Sequence, residues 1–177
     1  MRYEDATQEV VPLGLDGLPS GSANATLLNN DYWLPAATLT WEIADSLQAR
    51  FNASKTIARP QFRELILQTY YDPESNRQFT GNPGLVDSQL TNYEARVEYY
   101  WGSGSKFSLA GFYKDIENPI EVFSSFNDNT VVSRFANAPQ AELYGAEVEV
   151  QWNKDLYTLG EWWDSKRFVA IANYTYT

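Results

Sequence analysis

Polar and apolar residues alternate with a period of two along most of this chain. In an extended strand, residues of equal parity share one face. The alternation is cleanest from Thr91 to Trp101: Tyr93, Ala95, Val97, Tyr99 and Trp101 fall on one side, and Glu94, Arg96 and Glu98 on the other. Glu142 to Trp152 repeats it, with Tyr144, Ala146, Val148, Val150 and Trp152 opposite Glu147, Glu149 and Gln151. Arg167 to Thr177 places Phe168, Ala170, Ala172, Tyr174 and Tyr176 together, and Arg2 to Val10 alternates as well. Tyr32 to Ile43 reads as one strand, joined through Ala44-Asp45-Ser46 to a second strand over Leu47 to Ile57, a hairpin. From Lys106 onward Phe107, Leu109, Gly111 and Tyr113 share a face, with Phe112 out of step. Ile120 to Phe126 and Val131 to Phe135 suggest a further hairpin around Asn127-Asp128-Asn129.

Between these strands lie a loop with Pro12, Gly14, Gly17, Pro19 and Gly21, and a long polar segment from Ala58 to about Leu90. Gly102-Ser103-Gly104-Ser105 is a short turn, and a connector from Asn153 to Ser165 carries Gly160, Trp162 and Trp163. Short turns therefore alternate with long loops. Four pairs of aromatic residues stand eight positions apart: Trp33 and Trp41, Tyr93 and Trp101, Tyr144 and Trp152, Phe168 and Tyr176. Eight steps of ~3.3 Å span roughly 26 Å along a strand. Tilted by ~40°, that approaches the ~25 Å apolar band of a membrane β-barrel, which carries an aromatic girdle at each rim. The pattern predicts an all-β, antiparallel up-and-down transmembrane β-barrel with these eight aromatics at the membrane interfaces. A soluble sandwich with one wet face alternates in the same way.

The 177 residues include no cysteine and no histidine, which excludes thiolate chemistry, disulfides and imidazole catalysis. A net charge of −10 argues against nucleic acid as a partner. Aromatic residues make up 15%, a content that suits membrane interfaces and ligand-binding surfaces. No stretch approaches the ~20 apolar residues of a membrane helix. The alternation already runs at Arg2 and no turn closes Asn173-Tyr174-Thr175-Tyr176-Thr177, so the chain reads as a piece of a longer protein.

The central stretch carries a resemblance. Ala53-Ser54-Lys55-Thr56-Ile57-Ala58-Arg59-Pro60-Gln61-Phe62-Arg63-Glu64-Leu65 is followed by Gly81-Asn82-Pro83-Gly84-Leu85 and by Asn92-Tyr93-Glu94 and Glu98-Tyr99-Tyr100. Then come Phe112-Tyr113-Lys114-Asp115-Ile116, Pro119-Ile120, Asn137-Ala138 and Tyr144-Gly145-Ala146-Glu147-Val148-Glu149. In order and spacing this series, from about Leu34 to Trp152, resembles the barrel of TonB-dependent outer-membrane receptors. The resemblance implies a Gram-negative outer-membrane protein whose complete barrel has roughly 22 strands and a plugged lumen. Residues 1–177 would then be a partial barrel domain from the C-terminal half, without the plug, the TonB box or the final strand. It also implies uptake of a scarce nutrient, such as a ferric siderophore or glycan, driven by the TonB complex through the missing N-terminal part. Other readings are a passive porin-like channel and a soluble glycan-binding β-domain.

No catalytic residue, metal or cofactor is assigned. Glu94 with Glu98, or Glu147 with Glu149, could be paired carboxylates of the glycosidase kind. With Arg96 among them they read instead as a polar, lumen-facing wall. The candidate ligand-binding residues lie on the long loop: Arg59, Arg63, Glu64, Tyr70, Tyr71, Asp72 and Arg77. Arginine offers forked donors to anions, and tyrosine stacks on rings and sugars.

Overall fold

The computed structural model describes residues 1–12, 25–102, 104–127 and 130–177. In chain order the elements are β1 (Arg2–Val10), β2 (Thr26–Leu34), β3 (Ala36–Ala44), β4 (Leu47–Ala58), the one-turn helix α1 (Phe62–Leu65), β5 (Thr69–Asp72) and β6 (Arg77–Thr80). They continue with β7 (Ser88–Trp101), β8 (Ser105–Glu117), β9 (Ile120–Asn127), β10 (Thr130–Asn137), β11 (Gln140–Asp155) and β12 (Arg167–Tyr176). The glycine-rich loop from Gly14 to Gly21, the loop tip at Asp128-Asn129 and Ser103 of the short turn lie outside the described residues.

The strands form three sheets: a β1–β2 ribbon, a four-stranded sheet in the order β5-β6-β10-β9, and a six-stranded sheet in the order β12-β11-β8-β7-β4-β3. None closes on itself among the described residues, which overturns the expected fold, a fragment of an up-and-down transmembrane β-barrel. Among the described residues the six-stranded sheet ends at β3 on one side and β12 on the other. The pairing of β6 with β10 is parallel, with Phe79 opposite Ser133, so the whole is not a simple up-and-down meander either. The cause of the error is physical. Alternation reports that a strand has one wet and one dry face, and an open sheet satisfies that as well as a closed one.

A second correction concerns Tyr32 to Ile43, which is two strands rather than one. Proline cannot donate to a ladder, and the chain breaks at Pro35, whose carbonyl still accepts from the Lys55 amide at 2.9 Å. Trp33 consequently belongs to β2, where it packs on Tyr3 across the ribbon with ring centroids 5.3 Å apart. Trp41 belongs to β3. The other three aromatic pairs each stay within one strand.

The chain divides into two compact units, and β4, β7, β8 and β11 contribute residues to both. The first unit comprises Met1–Pro35, Lys55–Leu90 and Asp115–Ala141. Its core is Val10, Leu65, Leu85 and Phe135, with Leu28, Ile66, Phe79 and Ile120 packed on it. α1 drives Leu65 into this core, and the turn is closed by the Glu64 carboxylate, which accepts from the Gln61 amide at 2.8 Å. The Gly81-Asn82-Pro83-Gly84 segment wraps the helix end. Asn82 N–H donates to Glu64 O at 2.6 Å, and its side chain donates to Phe135 O at 3.0 Å. A side chain at Gly81 has no room, since a Cβ there would lie 2.2 Å from Ile66 O and 2.8 Å from Glu64 O.

The second unit comprises Ala36–Ser54, Thr91–Lys114 and Glu142–Thr177. Here Phe112, out of step in the sequence, has a structural reason. It turns to the polar face and lies over Gly145, where a Cβ would stand 2.7 Å from Phe112 Cζ. An aromatic ring thus covers a strand glycine from the neighbouring strand.

Gly81→Ala should cost about 1–3 kcal/mol, because the backbone carbonyls around it cannot yield as a side chain can. Chemical denaturation is the measurement, and an unchanged midpoint would contradict the close approach described.

Candidate functional site

The six-stranded sheet has two chemically opposite faces. On the polar one, Glu98 is only 5% exposed and is surrounded by donors. Gln48 Nε2 and the Tyr100 hydroxyl donate to it, the latter at 3.2 Å, and Arg50 lies at 3.6 Å. Arg96 bridges Glu94 at 3.0 Å and Glu147 at 3.6 Å, and Lys106 meets Glu149 at 3.2 Å. The five residues predicted as a polar wall, Glu94, Arg96, Glu98, Glu147 and Glu149, therefore share one ion-paired surface. Each acid already has a cation beside it, which leaves none of them as a free carboxylate for acid–base work.

The opposite face is exposed and apolar. Leu39, Trp41, Phe51, Tyr93, Val97, Tyr99, Tyr144 and Trp152 all lie open on it. Tyr99 stacks on Trp101 at 5.8 Å, and Trp152 meets Phe168 edge-on at 5.8 Å. A depression of about 880 Å³ crosses this face. Ala37, Ala53, Ala95, Gly111 and Ala146 floor it, and Tyr93, Tyr113, Tyr144 and Tyr176 rim it. Its surface suits hydrocarbon, with few of the convergent polar groups that fix a polar ligand.

In the first unit a half-buried polar strip fastens the β1–β2 ribbon. Glu4 binds Arg59 on one side and Arg2, at 2.8 Å, on the other. Gln8 Nε2 donates to Pro60 O at 2.9 Å. Asp87, only 3% exposed, accepts from Asn30 Nδ2 at 3.1 Å and from the Tyr32 hydroxyl at 3.0 Å. Asp87 Oδ1 and Arg59 Nη2 are buried without protein partners, so the strip has little slack to lose another bond. Burial, helped by the hydrogen bond to Asp87 and by its charge, pushes the Tyr32 hydroxyl up to about 12. The hydrogen bond from Arg59 holds the Glu4 carboxyl below its usual range. Sequence reasoning missed Glu4, Gln8, Asn30, Tyr32 and Asp87. No local signal marks partners that lie 52 to 57 residues apart.

Of the seven ligand candidates, four have evident structural work. Arg59 is the partner of Glu4, and Glu64 closes α1. The Tyr70 ring stacks on Phe79 at 5.7 Å, and Phe79 stacks on Phe135 at 5.9 Å, a column leading into the core. Asp72 accepts from the Ser75 hydroxyl at 2.6 Å and from the Glu74 and Ser75 amides, shaping the β5–β6 turn. Those bonds, the one from the Ser75 hydroxyl first, hold its carboxyl below the usual carboxylate range, with nearby Arg63 a smaller cause. Arg63, Tyr71 and Arg77 are exposed; Arg63 Nε donates to Gln61 Oε1 at 3.2 Å and the Tyr71 hydroxyl donates to Asn76 Oδ1. Arg77 pairs directly with Asp72 across the hairpin, so Arg77, Asp72 and Tyr70 share a face, while Tyr71 points to the other.

The profile of the family described as TonB dependent receptor-like, beta-barrel matches residues 1–177. No curated protein matches the chain in sequence. Among solved structures, the fold is similar to a mutant ferric enterobactin receptor, PfeA, of Pseudomonas aeruginosa in complex with enterobactin (TM-score 0.53, 21% identity, 69% of this chain and 20% of that one). It is similar also to the siderophore receptor PirA of Pseudomonas aeruginosa (TM-score 0.56, 17% identity, 72% and 27%). A third is a double mutant of the Serratia marcescens hemophore receptor HasR with its hemophore HasA and heme (TM-score 0.55, 13% identity, 85% and 27%). The chain thus spans between a fifth and about a quarter of the length of these receptors.

Tyr32→Phe should cost about 1–3 kcal/mol by leaving Asp87 with Asn30 alone. A tyrosine whose folded value exceeds its unfolded 10.0 stabilises fully below pH 10 and loses that contribution as pH rises toward 12. Glu4 acts in the opposite sense: its contribution is complete above its unfolded 4.5 and fades as pH falls below it. Denaturation midpoints measured against pH should lose the alkaline phase in Tyr32→Phe and the acid phase in Glu4→Gln. Identical profiles for variant and wild type would contradict the strip.

Proposed function

This chain belongs to the TonB dependent receptor-like β-barrel family, and from that membership we propose that the protein is an outer-membrane receptor for uptake of a scarce nutrient. The family is one of receptors rather than enzymes and indicates, in general terms, the outer membrane of a Gram-negative bacterium. The observation that carries the reading is the six-stranded sheet, with large apolar side chains open on one face and a paired ionic network on the other. Such a face is costly in water and favourable against lipid. We take outer-membrane lipid as its partner.

For the nutrient we propose a ferric siderophore-type chelate. The solved siderophore and hemophore receptors of similar fold support this, and so does the chemistry of the exposed residues. Arg63 and Arg77 would supply forked donors to an anionic chelate. Arg59, Glu64, Tyr70 and Asp72 would then shape the platform. Energy would come from the TonB complex of the inner membrane, acting through parts of the receptor beyond residues 1–177.

Deletion of the gene should abolish growth on one or more ferric siderophores under iron limitation, and the intact gene should restore it only when TonB is functional. Restoration by a gene carrying Arg63→Ala with Arg77→Ala should be impaired. A charge-assisted bond of ~1.5–3 kcal/mol corresponds to roughly ten- to hundredfold weaker binding per arginine. Growth lost on a glycan instead would reassign the substrate, and restoration without TonB would indicate a passive channel.

A further inference from the structure

The connector between β11 and β12 is longer than the other two turns of the six-stranded sheet and has its own internal structure. β3 and β4 are joined through residues 45–46 and β7 and β8 through 102–104, whereas this connector occupies 156–166. It consists of two single 3-10 turns, Tyr157–Leu159 and Glu161–Trp163, divided by Gly160 at φ 120°. Leu156 N–H donates to Lys166 O at 3.0 Å and closes the neck. Within the loop, Leu159 N–H donates to Leu156 O at 2.9 Å, Trp163 N–H to Gly160 O at 2.8 Å, and Lys166 N–H to Trp163 O at 2.9 Å. Backbone bonds hold this loop, while its large side chains are turned outward. Tyr157 and Leu159 are each 62% exposed and Trp162 is 70% exposed. Trp162 meets Trp163 edge-on at 4.6 Å, and the Lys166 ammonium lies over the Trp162 ring.

Two observations say what covers this patch. The first is continuity: the connector leaves β11 just after Trp152 and enters β12 just before Phe168, and those two rings are packed together on the apolar face. The second is charge. Around the patch Lys154, Lys166 and Arg167 are balanced by Asp155, Glu161 and Asp164, and Arg167 pairs with Asp155 at 2.6 Å. A surface of indole, phenol and leucine with interspersed charges of both signs matches the zwitterionic headgroup layer, where amphipathic rings and snorkelling lysines are favoured. A strongly charged partner would call for a charge excess. We propose that residues 156–166 form an interfacial anchor that lies among the phospholipid headgroups at the short-turn end of the sheet. The inference rests on the lipid-facing reading of the apolar face.

Residues 1–177 contain no cysteine, so single thiols can be placed for labelling. Leu159→Cys reports the connector and Val97→Cys the middle of the apolar face; Tyr157→Cys, read the same way, guards against a local disturbance at residue 159. Each is labelled with an environment-sensitive dye in the receptor reconstituted into phosphatidylethanolamine–phosphatidylcholine vesicles. Nitroxide quenchers are placed either at the headgroup or deep in the acyl chains. The dyes at residues 157 and 159 should be quenched more by the headgroup nitroxide, and the dye at residue 97 more by the deep one. If residue 97 is quenched while 157 and 159 remain open to aqueous iodide, or are shielded only when another protein is added, the anchor is overturned and the lipid-facing sheet stands. If residue 97 is not quenched either, the lipid-facing reading fails and the anchor fails with it.

Discussion

Each central strand of the six-stranded sheet has to satisfy two incompatible surroundings at once, and the two-residue pleat is what allows it. Glu94, Arg96 and Glu98 occupy the same strand as Tyr93, Val97 and Tyr99, offset by one position. A slip of one residue would exchange the faces. It would tear Arg96 from Glu147 and set three charges among aromatic rings. Against lipid, each cation misplaced at mid-depth costs about 2–4 kcal/mol. Register is therefore enforced across β4, β7, β8 and β11 together, because Arg50 and Lys106 reach acids on neighbouring strands and Arg96 reaches past β8 to Glu147 on β11. Smaller features follow from this division, including the turn of Phe112 onto Gly145.

The first unit is held by a different logic. It has a conventional dry core around Leu65 and Leu85, plus the polar strip that ties the ribbon through Glu4, Gln8, Asn30 and Tyr32. The Gly-Asn-Pro-Gly segment gains its meaning here. Gly81 gives the carbonyls of α1 room, and Asn82 joins the helix end to β10. These are packing reasons for residues that look, in sequence alone, like a turn before a strand. Four of the seven loop residues first considered for ligand contact turn out to have such structural partners. Arg63, Tyr71 and Arg77 face outward, with Arg63 donating to Gln61 and the Tyr71 hydroxyl to Asn76.

Strand positions and faces were legible wherever period two ran unbroken, as in β1, β7, β11 and β12. Closure was not, because each strand reports its own two faces and nothing about whether the outer edges of β3 and β12 find partners. The break at Pro35 did carry a signal, a missing ladder donor, that strong alternation on both sides concealed. α1 carried no such signal, since Gln61 is not one of the residues that usually cap a helix start. β5 and β6 are four residues each, too short for a period to emerge from a polar segment. The Asp87 cluster had no local signature at all, since its members meet only once the ribbon is docked.

The central claim is that one face of the six-stranded sheet lies against lipid while the other keeps its ion pairs in a polar surrounding. The most direct test is a cysteine scan along β7, from Thr91 to Trp101, in the membrane-embedded receptor, using a water-soluble thiol reagent. Reactivity should alternate, high at residues 94, 96 and 98 and low at 93, 95, 97 and 99. Equal reactivity at both sets, or the reverse alternation, would contradict the account.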